Sequence, residues 1–325
     1  MTFAIGSCFH REHDPAQVIV QARLAEEVGF AEFWVIEDCF FTAGVSLAAA
    51  ALATTESIGV GVGIMPTVAR NPAVTAMEIA TLAGLAPGRF HAGLGHGVQS
   101  WMEQMDEARS SPLTMLDETL QAVRSLLRGE RVTTSGRYVT LEDVGLELPP
   151  HPVPPVSAGV RGPKSLQLSG RHGDGTILAD FVSPAYVEWA IGQIGEGKAK
   201  RAGTDSPQDN HRVTVFATAA IGSDGAAMRQ AAAPHLASVG AEAPLSLQMA
   251  PFYPELKTMA DTSGWLKAVR NMPPEWWLDI AAVGTPDDAA EYLRRLEASG
   301  VDAVGLFPDF DNPLDAVRSA AEHLM

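Results

Sequence analysis

The stretch "GVGIMPTVARNPAVTAMEIATLAGLAPGRFHAGLGHG", residues Gly61 to Gly97, contains the pattern that decides the fold. It begins inside a short apolar run, Ile58 to Ile64, and ends in a second one, Arg89 to Leu94. Between them, Pro72 to Leu85 has helical spacing and starts with proline, a residue favoured in the first turn of a helix. The order strand, helix, strand predicts a βαβ unit with two parallel strands.

The same alternation continues along the 325-residue chain. The other predicted strands are Phe3 to Ser7, Glu32 to Ile36, Val156 to Gly159, Thr176 to Ala179, Val213 to Ile221 and Ala303 to Phe307. Eight strands alternating with helices predict a single (β/α)8 TIM barrel that spans residues 1–325. An insertion from Gly240 to Pro274 precedes the last strand.

This insertion carries an unusual apolar and aromatic load. Its large side chains are Met249, Phe252, Tyr253, Met259, Trp265 and Met272, and Trp276 and Trp277 follow directly. Such a composition is typical of a satellite core, but it also fits a lid over an apolar pocket. The sequence does not distinguish between the satellite core and the lid.

Charge and cysteine content limit the possible partners. The chain has 23 basic and 39 acidic residues, a formal net charge of −16, which argues against nucleic acid and anionic membranes as partners. No apolar run reaches the roughly 18 residues that a membrane span needs. The only cysteines are Cys8 and Cys39, and no signal peptide is recognisable, so we expect a cytoplasmic protein that binds a small molecule.

In an α/β barrel the active site lies at the carboxyl ends of the strands. The first strand is followed by Cys8 and His10, and the sixth by Asp180. One thiol and one imidazole do not make the histidine pair typical of zinc or iron, so no metal is predicted. Glu37 and Asp38 close the second strand, and only one of them can face the barrel mouth because successive strand residues point to opposite faces.

"HAGLGHG" closes the fourth predicted strand. Its glycines at 93, 95 and 97 would let a flat ligand approach the backbone closely, although barrel bends use glycine too. His96 would stand at the mouth, where an imidazole that titrates near neutral pH can donate a proton. A histidine bonded only to a loop carbonyl is the alternative.

"GVRGPKSLQLSGRHGDG", Gly159 to Gly175, combines glycine with two basic residues. Pro163 fits the first position of a helix, with Gly162 before it, so free backbone N–H groups would point at the barrel mouth. Arg161 and Lys164 add positive charge there. This favours a phosphate site over a simple tight turn.

Together with "GVRGPKSLQLSGRHGDGTIL", Gly159 to Leu178, the opening stretch resembles the bacterial luciferase-like monooxygenase superfamily. Within it, the chain looks most like the coenzyme F420-dependent, methylenetetrahydromethanopterin reductase-like oxidoreductases. The resemblance covers most of the chain and weakens between about Ala202 and Ala282. It implies hydride transfer between the deazaflavin and a small organic substrate.

Two alternatives keep the same fold. One is a luciferase-like monooxygenase that uses reduced FMN and oxygen, and the other is a non-catalytic flavin-binding protein. The resemblance also implies a homodimer, with the Ala-rich helix near Val45 to Thr55 as a candidate interface.

The resemblance assigns cofactor-binding residues to several strand ends. The acid that contacts the deazaflavin maps to Asp38, and a bulge with a non-proline cis peptide maps to Val62, Gly63 and Ile64. Met65 and Pro66 would lie behind the ring, and Gly95, His96 and Gly97 along its edge. The phosphate would lie near Arg161, Gly162, Pro163, Lys164 and Ser165.

One departure from the family bears on the reaction. The family's sugar-phosphate dehydrogenases carry a histidine directly after the acid and a glutamate after the glycine-rich turn, where this chain has Cys39 and Val98. A sugar phosphate is therefore not the expected substrate. The candidate catalytic residues are His96, His10 and Cys39, with the Tyr253 hydroxyl or water as other proton sources.

Overall fold

The computed structural model describes residues 3–179, 181–201 and 210–325, so Asp180 lies outside the described residues. The strands are β1 (Ala4–Phe9), β2 (Glu32–Val35), β3 (Gly59–Pro66), β4 (Phe90–Gly95), β5 (Val132–Ser135), β6 (Thr140–Val144), β7 (Val156–Gly159), β8 (Gly175–Leu178), β9 (Arg212–Ile221), β10 (Ala282–Gly284) and β11 (Ala303–Phe307). Eight parallel strands close into a barrel in the order β1, β2, β3, β4, β7, β8, β9, β11. These are the eight predicted strands, so the TIM barrel is confirmed.

The other strands lie outside the barrel. β5 and β6 form an antiparallel hairpin, whose turn is held by Glu118, a carboxylate that accepts three backbone N–H groups of residues 137–139. β10 pairs with the last residues of β9. At three residues, β10 is too short to give the period-two pattern by which a strand is predicted.

The helices surround the barrel. They are α1 (Gln17–Glu27), α2 (Gly44–Thr54), α3 (Pro72–Leu85), α4 (Gln99–Gln104), α5 (Pro112–Leu127), α6 (Pro163–His172), α7 (Pro184–Lys198), α8 (Gly225–Gly240), α9 (Leu245–Gln248), α10 (Tyr253–Ser263), α11 (Trp265–Arg270), α12 (Pro274–Trp277), α13 (Pro286–Ala298) and α14 (Pro313–Leu324). None of the described helices is both long and apolar enough to cross a membrane.

The insertion before the last strand folds into α9, α10 and α11. Its apolar side chains form a second core beside the barrel, in which Phe252 stacks on Trp276 with ring centroids 4.8 Å apart. Tyr253 packs against the same core. The satellite core is therefore present, and the lid stays a prediction.

The barrel interior is filled by two layers of side chains. Near the amino ends of the strands, Glu32 pairs with Arg212 at 2.5 Å and accepts a hydrogen bond from Trp34 Nε1 at 3.0 Å. Above this charged layer lies an apolar layer that contains Trp34, Ile177 and Phe216. Because both layers are packed, a ligand has room above them, at the carboxyl ends of the strands.

Candidate functional site

A cavity of about 560 Å³ opens at the carboxyl ends of the barrel strands. Its lining comes from the strands and from the segments that follow them. The strands contribute Gly63, Ile64 and Pro66 of β3, Gly159 of β7, Ile177 of β8, Phe216 of β9 and Phe307 of β11. The segments contribute residues 36–39 after β2, residues 96–98 with Trp101 and Met102 after β4, residues 160–162 with Ser165 after β7, and Ala179 after β8. A volume of this size suits a small organic ligand. The cavity lies where the barrel fold places active sites.

β3 contains the predicted non-proline cis peptide, between Gly63 and Ile64. Its pairing with β4 shifts register between Val62 and Met65, which is the predicted bulge. Gly63 and Ile64 line the cavity, whereas Val62 and Met65 are fully buried behind it. A second non-proline cis peptide, Cys39–Phe40, was not predicted.

Three glycines make room for the Ile64 side chain. A Cβ atom on Gly93 would lie 2.9 Å from Ile64 Cγ2, one on Gly95 2.1 Å from Ile64 Cδ1, and one on Gly159 2.6 Å from Ile64 Cγ2. Contacts this short would displace Ile64. For Gly93 and Gly95 the interpretation that they admit a flat ligand is therefore corrected, because they admit Ile64, whose side chain in turn lines the cavity. Gly97 lines the cavity itself, and there the interpretation stays a prediction.

The predicted phosphate residues meet at the beginning of α6. Pro163 occupies the first turn and Gly162 is the N-cap, as predicted. The backbone N–H groups of Lys164 and Ser165 therefore have no acceptor within the helix. Arg161, Gly162 and Ser165 line the cavity, and the exposed Lys164 lies beside them. The positive end of the helix dipole and two cationic side chains make this edge suitable for a phosphate.

Two hydrogen bonds fix the turn that leads into α6. The Tyr186 hydroxyl donates to the Arg161 carbonyl at 2.8 Å, and burial raises the pKa of that hydroxyl well above its ordinary value. Ser165 Oγ donates to the Gly162 carbonyl at 3.0 Å. The turn is thus held in place by its own chain and by α7.

Glu37 is held by contacts with other parts of the chain. Its carboxylate accepts a hydrogen bond from the Gly44 backbone N–H, at the start of α2, at 2.9 Å, and it forms an ion pair with Arg70. Glu37 thereby ties the end of β2 to α2 and to the segment after β3.

Asp38 lies at the rim of the cavity and forms an ion pair with Arg11. The Arg11 guanidinium also lies over the Phe41 ring, 4.6 Å from its centroid, and over the Trp101 ring at 5.7 Å. Loops after β1, β2 and β4 are thus joined at one point. Sequence reasoning missed Arg11, because nothing in its local pattern shows that it meets the β2 loop.

The two candidate histidines lie in different places. His96 lines the cavity, and burial lowers its pKa although a backbone hydrogen bond with Pro112 opposes the shift, so the ring is neutral at pH 7. His10 is not among the lining residues, since its Nε2–H donates to the Pro308 carbonyl at 2.7 Å and its ring packs against Phe307. Only His96 of this pair can touch a ligand directly.

Cys39 lines the cavity beside the two acids. Burial raises the pKa of its thiol, and the charges of Glu37 and Asp38 raise it further, so the sulfur is protonated at neutral pH. Tyr253 does not line the cavity. In the part of the chain that the structure describes, no three His, Cys, Asp or Glu side chains are grouped to hold a metal ion.

Two walls of this cavity differ in chemistry. The anion wall consists of Ile64, His96, Arg161, Gly162 and Ser165, from β3, β4 and β7. The apolar wall consists of Ile36, Ile177, Ala179, Phe216 and Phe307, from β2, β8, β9 and β11. The arrangement can hold a flat group with a phosphate tail against one wall and an apolar molecule against the other.

Two lining residues, Phe216 and Phe307, were not predicted from the sequence. Phe307 is the last residue of the final strand, so its position at a carboxyl end was an available signal. Phe216 lies in the middle of the ten-residue strand β9, and only the strand register places its side chain under the cavity.

The family model described as luciferase-like monooxygenase matches residues 1–303. A 5,10-methylenetetrahydromethanopterin reductase from Methanolobus tindarius is 32% identical over 298 residues, which cover 89% of each chain. An F420-dependent glucose-6-phosphate dehydrogenase from Beutenbergia cavernae is 32% identical over 207 residues, 57% of this chain and 59% of the relative.

Solved structures share the fold. The coenzyme F420-dependent tetrahydromethanopterin reductase from Methanopyrus kandleri superposes with a TM-score of 0.83 at 20% identity, covering 100% of this chain and 99% of the other. An F420-dependent secondary alcohol dehydrogenase in complex with an F420-acetone adduct gives 0.78 at 20% identity, with full coverage of both chains. At this identity the likeness shows the fold alone.

Proposed function

Since the chain belongs to the luciferase-like monooxygenase family, we propose that it is a coenzyme F420-dependent oxidoreductase that moves a hydride between the deazaflavin and a small organic substrate. The observation that carries this proposal is the anion wall, in which a bulged strand with Ile64 stands beside a helix N-terminus with Arg161. The names of the relatives, which are F420-dependent reductases and dehydrogenases, support the choice of cofactor.

The anion wall fits a deazaflavin in shape and charge. The phosphate would be held by the turn Arg161, Gly162, Pro163, Lys164 and Ser165. The ring would lie on Gly63 and Ile64, with His96 and Gly97 at its edge and Asp38 at the rim. Gly95 would act indirectly, by leaving space for Ile64, and Val62 and Met65 are buried outside the lining. The deazaflavin, when bound, supplies the hydride chemistry, and the protein supplies position and a dry site.

The protein's own groups would handle the proton. Cys39 and His96 both line the cavity, one as a protonated thiol and the other as a neutral imidazole. We place the proton that the protein transfers either on the Cys39 sulfur or on the His96 ring. His10 would act indirectly, because its hydrogen bond to the Pro308 carbonyl holds the residue that follows Phe307.

The test of this proposal is a cofactor titration. Purified protein is mixed with coenzyme F420 or with FMN, and binding is measured by fluorescence quenching. Saturable F420 binding supports the proposal, whereas tight FMN binding without a response to F420 favours the flavin monooxygenase alternative. F420 binding without turnover of any enone, imine or alcohol favours the non-catalytic alternative.

A matched pair of variants localises the phosphate. Arg161→Ala removes a cation from the cavity edge, and Arg171→Ala removes one from the end of the same helix. Because a charge-assisted hydrogen bond contributes about 1.5–3 kcal/mol, Arg161→Ala is expected to weaken F420 binding roughly tenfold to a hundredfold. Arg171→Ala is expected to leave it nearly unchanged, and equal effects would refute the assignment.

We further propose that the protein is a homodimer located in the cytoplasm. The outer face of α3 exposes Val74, Met77 and Leu85 in one stripe next to the Ala-rich α2, and such a stripe is apolar surface for a second copy of the chain to cover. Both cysteines are free thiols, in keeping with a reducing compartment.

Light scattering of the protein as it elutes from a size-exclusion column gives its molar mass and so tests the proposed dimer interface on α3. Met77→Glu, at a side chain that is 57% exposed, is expected to convert the dimer to a monomer. Leu148→Glu, at a side chain that is 86% exposed and far from this stripe in sequence, is the control and is expected to stay dimeric. A wild-type monomer, or a Met77→Glu dimer, would remove this interface from consideration.

A further inference from the structure

Two side chains of the apolar wall, Phe216 and Phe307, come from strands that lie across the barrel from β3 and β4. In the closed order of eight strands, β9 is four places from β3 and β11 is four places from β4. Phe216 and Phe307, from β9 and β11, therefore face the bulge and the glycine-rich strand end. A Cβ on Gly63 would lie 2.4 Å from Phe216 Cε2, so Phe216 touches the bulge at the bottom of the cavity. A molecule that reacts with a ring held on Ile64 would therefore lie above Phe216 and beside Phe307.

The surface of the apolar wall is hydrocarbon. Ile36, Ile177 and Phe216 are buried and Phe307 is half-buried, and the two phenylalanine rings meet edge to face with centroids 6.1 Å apart. Covering such a surface with an apolar ligand contributes roughly 25 cal/mol per Å². A polar ligand group placed against it without a partner would instead lose its hydration.

The charges around the cavity disfavour an anion. Among the described lining residues the cationic side chain is Arg161, which stands on the anion wall, and His96 is neutral there. The acids after β2, Glu37 and Asp38, border the apolar wall and already hold their arginine partners. A second anionic group would therefore meet negative charge and hydrocarbon, with no cation to pair with.

Apart from the anion wall and the two ion-paired acids, the described lining residues offer two polar side-chain groups, the Cys39 thiol and the Trp101 indole N–H. Each can donate one hydrogen bond, the thiol a weak one. Resting on the proposed function, we infer that the substrate is an uncharged, largely apolar organic molecule with one small polar group at the reacting carbon. Simple ketones, enones and the corresponding secondary alcohols have this character, and sugar phosphates do not.

The inference is tested by binding to the F420-loaded protein, measured by calorimetry. Methyl 4-acetylbenzoate and 4-acetylbenzoate share the acetyl group and the ring and differ by one negative charge. The neutral ester is expected to bind at least tenfold more tightly, with a negative heat-capacity change, which marks burial of apolar surface. Equal or tighter binding of the carboxylate would overturn the inference, and so would a failure of the ester and cyclohexanone to bind saturably.

A variant pair adds a test that depends on the wall itself. Phe307→Arg places a cation in the apolar wall and is expected to shift the ester-to-carboxylate preference at least tenfold toward the carboxylate. Phe310→Arg, outside the cavity lining and 49% exposed, is the control and is expected to keep the wild-type preference. An unchanged preference in folded Phe307→Arg would contradict the placement of the substrate. If that variant does not fold, the comparison of the ester and the carboxylate on the wild-type protein still tests the inference.

The F420 titration of the apo protein separates this inference from the proposed function. Protein that does not bind F420 contradicts the proposed function. Protein that binds F420 but prefers the carboxylate contradicts only the assignment of the substrate class.

Discussion

The anion wall and the apolar wall share one cavity, but they are built differently. The anion wall depends on backbone: glycines that leave space for Ile64, a bulged strand and the N-terminus of α6. The apolar wall depends on side chains such as Phe216 and Phe307. Cofactor binding should therefore tolerate few substitutions, whereas substrate choice can change one side chain at a time.

The largest effect is expected for Gly93→Ala on the anion wall. Its Cβ would lie 2.5 Å from the Val62 carbonyl oxygen and 2.8 Å from Ile177 Cδ1, and the backbone cannot yield as a flexible side chain could. We expect the free energy of unfolding to fall by about 2–3 kcal/mol, in the range of core overpacking, together with loss of F420 binding. Urea denaturation and fluorescence titration measure the two effects.

Gly84→Ala is the control for that experiment. Gly84 lies in α3, and a Cβ there would meet no atom within 4 Å. Alanine at this site should stabilise the helix by up to about 1 kcal/mol. Equal loss of stability in Gly84→Ala and Gly93→Ala would show that the close packing around Ile64 is unimportant.

The next largest effect is expected for Phe307→Ala on the apolar wall. The variant removes a ring that lines the cavity and meets Phe216 edge to face. We expect about tenfold weaker binding of a neutral ketone, the equivalent of roughly 1.4 kcal/mol, and an F420 affinity within about threefold of wild type. Comparable losses for both ligands would break the division into two walls.

A smaller effect concerns the charge of His96 on the anion wall. Burial lowers its pKa in the folded state, so the unfolded chain binds more protons once the pH falls below about 6.5. The stability contributed by the neutral ring is therefore present above that pH and is lost as the pH falls toward the lowered folded pKa. The loss is at most about 1.4 kcal/mol for each pH unit.

His96→Gln should flatten this pH dependence, and unfolding measured between pH 7 and pH 5 checks it. Burial also lowers the pKa of four other histidines, His10, His91, His172 and His211, which act in the same direction, so the difference between wild type and variant isolates His96. His323→Gln, at an exposed position, is the control. An identical slope in wild type and His96→Gln would mean that His96 is not held neutral.

The smallest effect concerns Cys39, next to the apolar wall. Its raised pKa keeps the thiolate fraction low, and the thiolate is the reactive form. Iodoacetamide at pH 8 should therefore label Cys39 severalfold more slowly than free cysteine, as measured by mass spectrometry. Cys39→Ser serves as the blank, because Cys8 is buried. Labelling as fast as free cysteine would place a thiolate in the cavity.

The barrel could be predicted from the sequence because its signals are local. Each barrel strand is a short apolar run, and a proline opens helices such as α3, α5 and α6. The phosphate turn was predicted for the same reason, since Gly162, Pro163 and their basic neighbours are adjacent in the chain. The bulge at Gly63 followed from the family resemblance and is confirmed.

Contacts between distant segments could not be predicted in this way. The glycines at 93, 95 and 97 were interpreted as space for a ligand, because only the strand register shows that Ile64 occupies the space beside Gly93 and Gly95. The aromatic insertion left two interpretations open, since composition does not say which surface it covers. Arg11 meets Asp38 across 27 positions of sequence.

The most direct test of the two walls is a crystal structure of the protein with F420 and a neutral ketone. We predict that the phosphate lies at the N-terminus of α6 beside Arg161, the ring on Ile64, and the ketone between the ring and Phe307. A phosphate bound elsewhere, or a ketone that does not touch the apolar wall, would contradict the account.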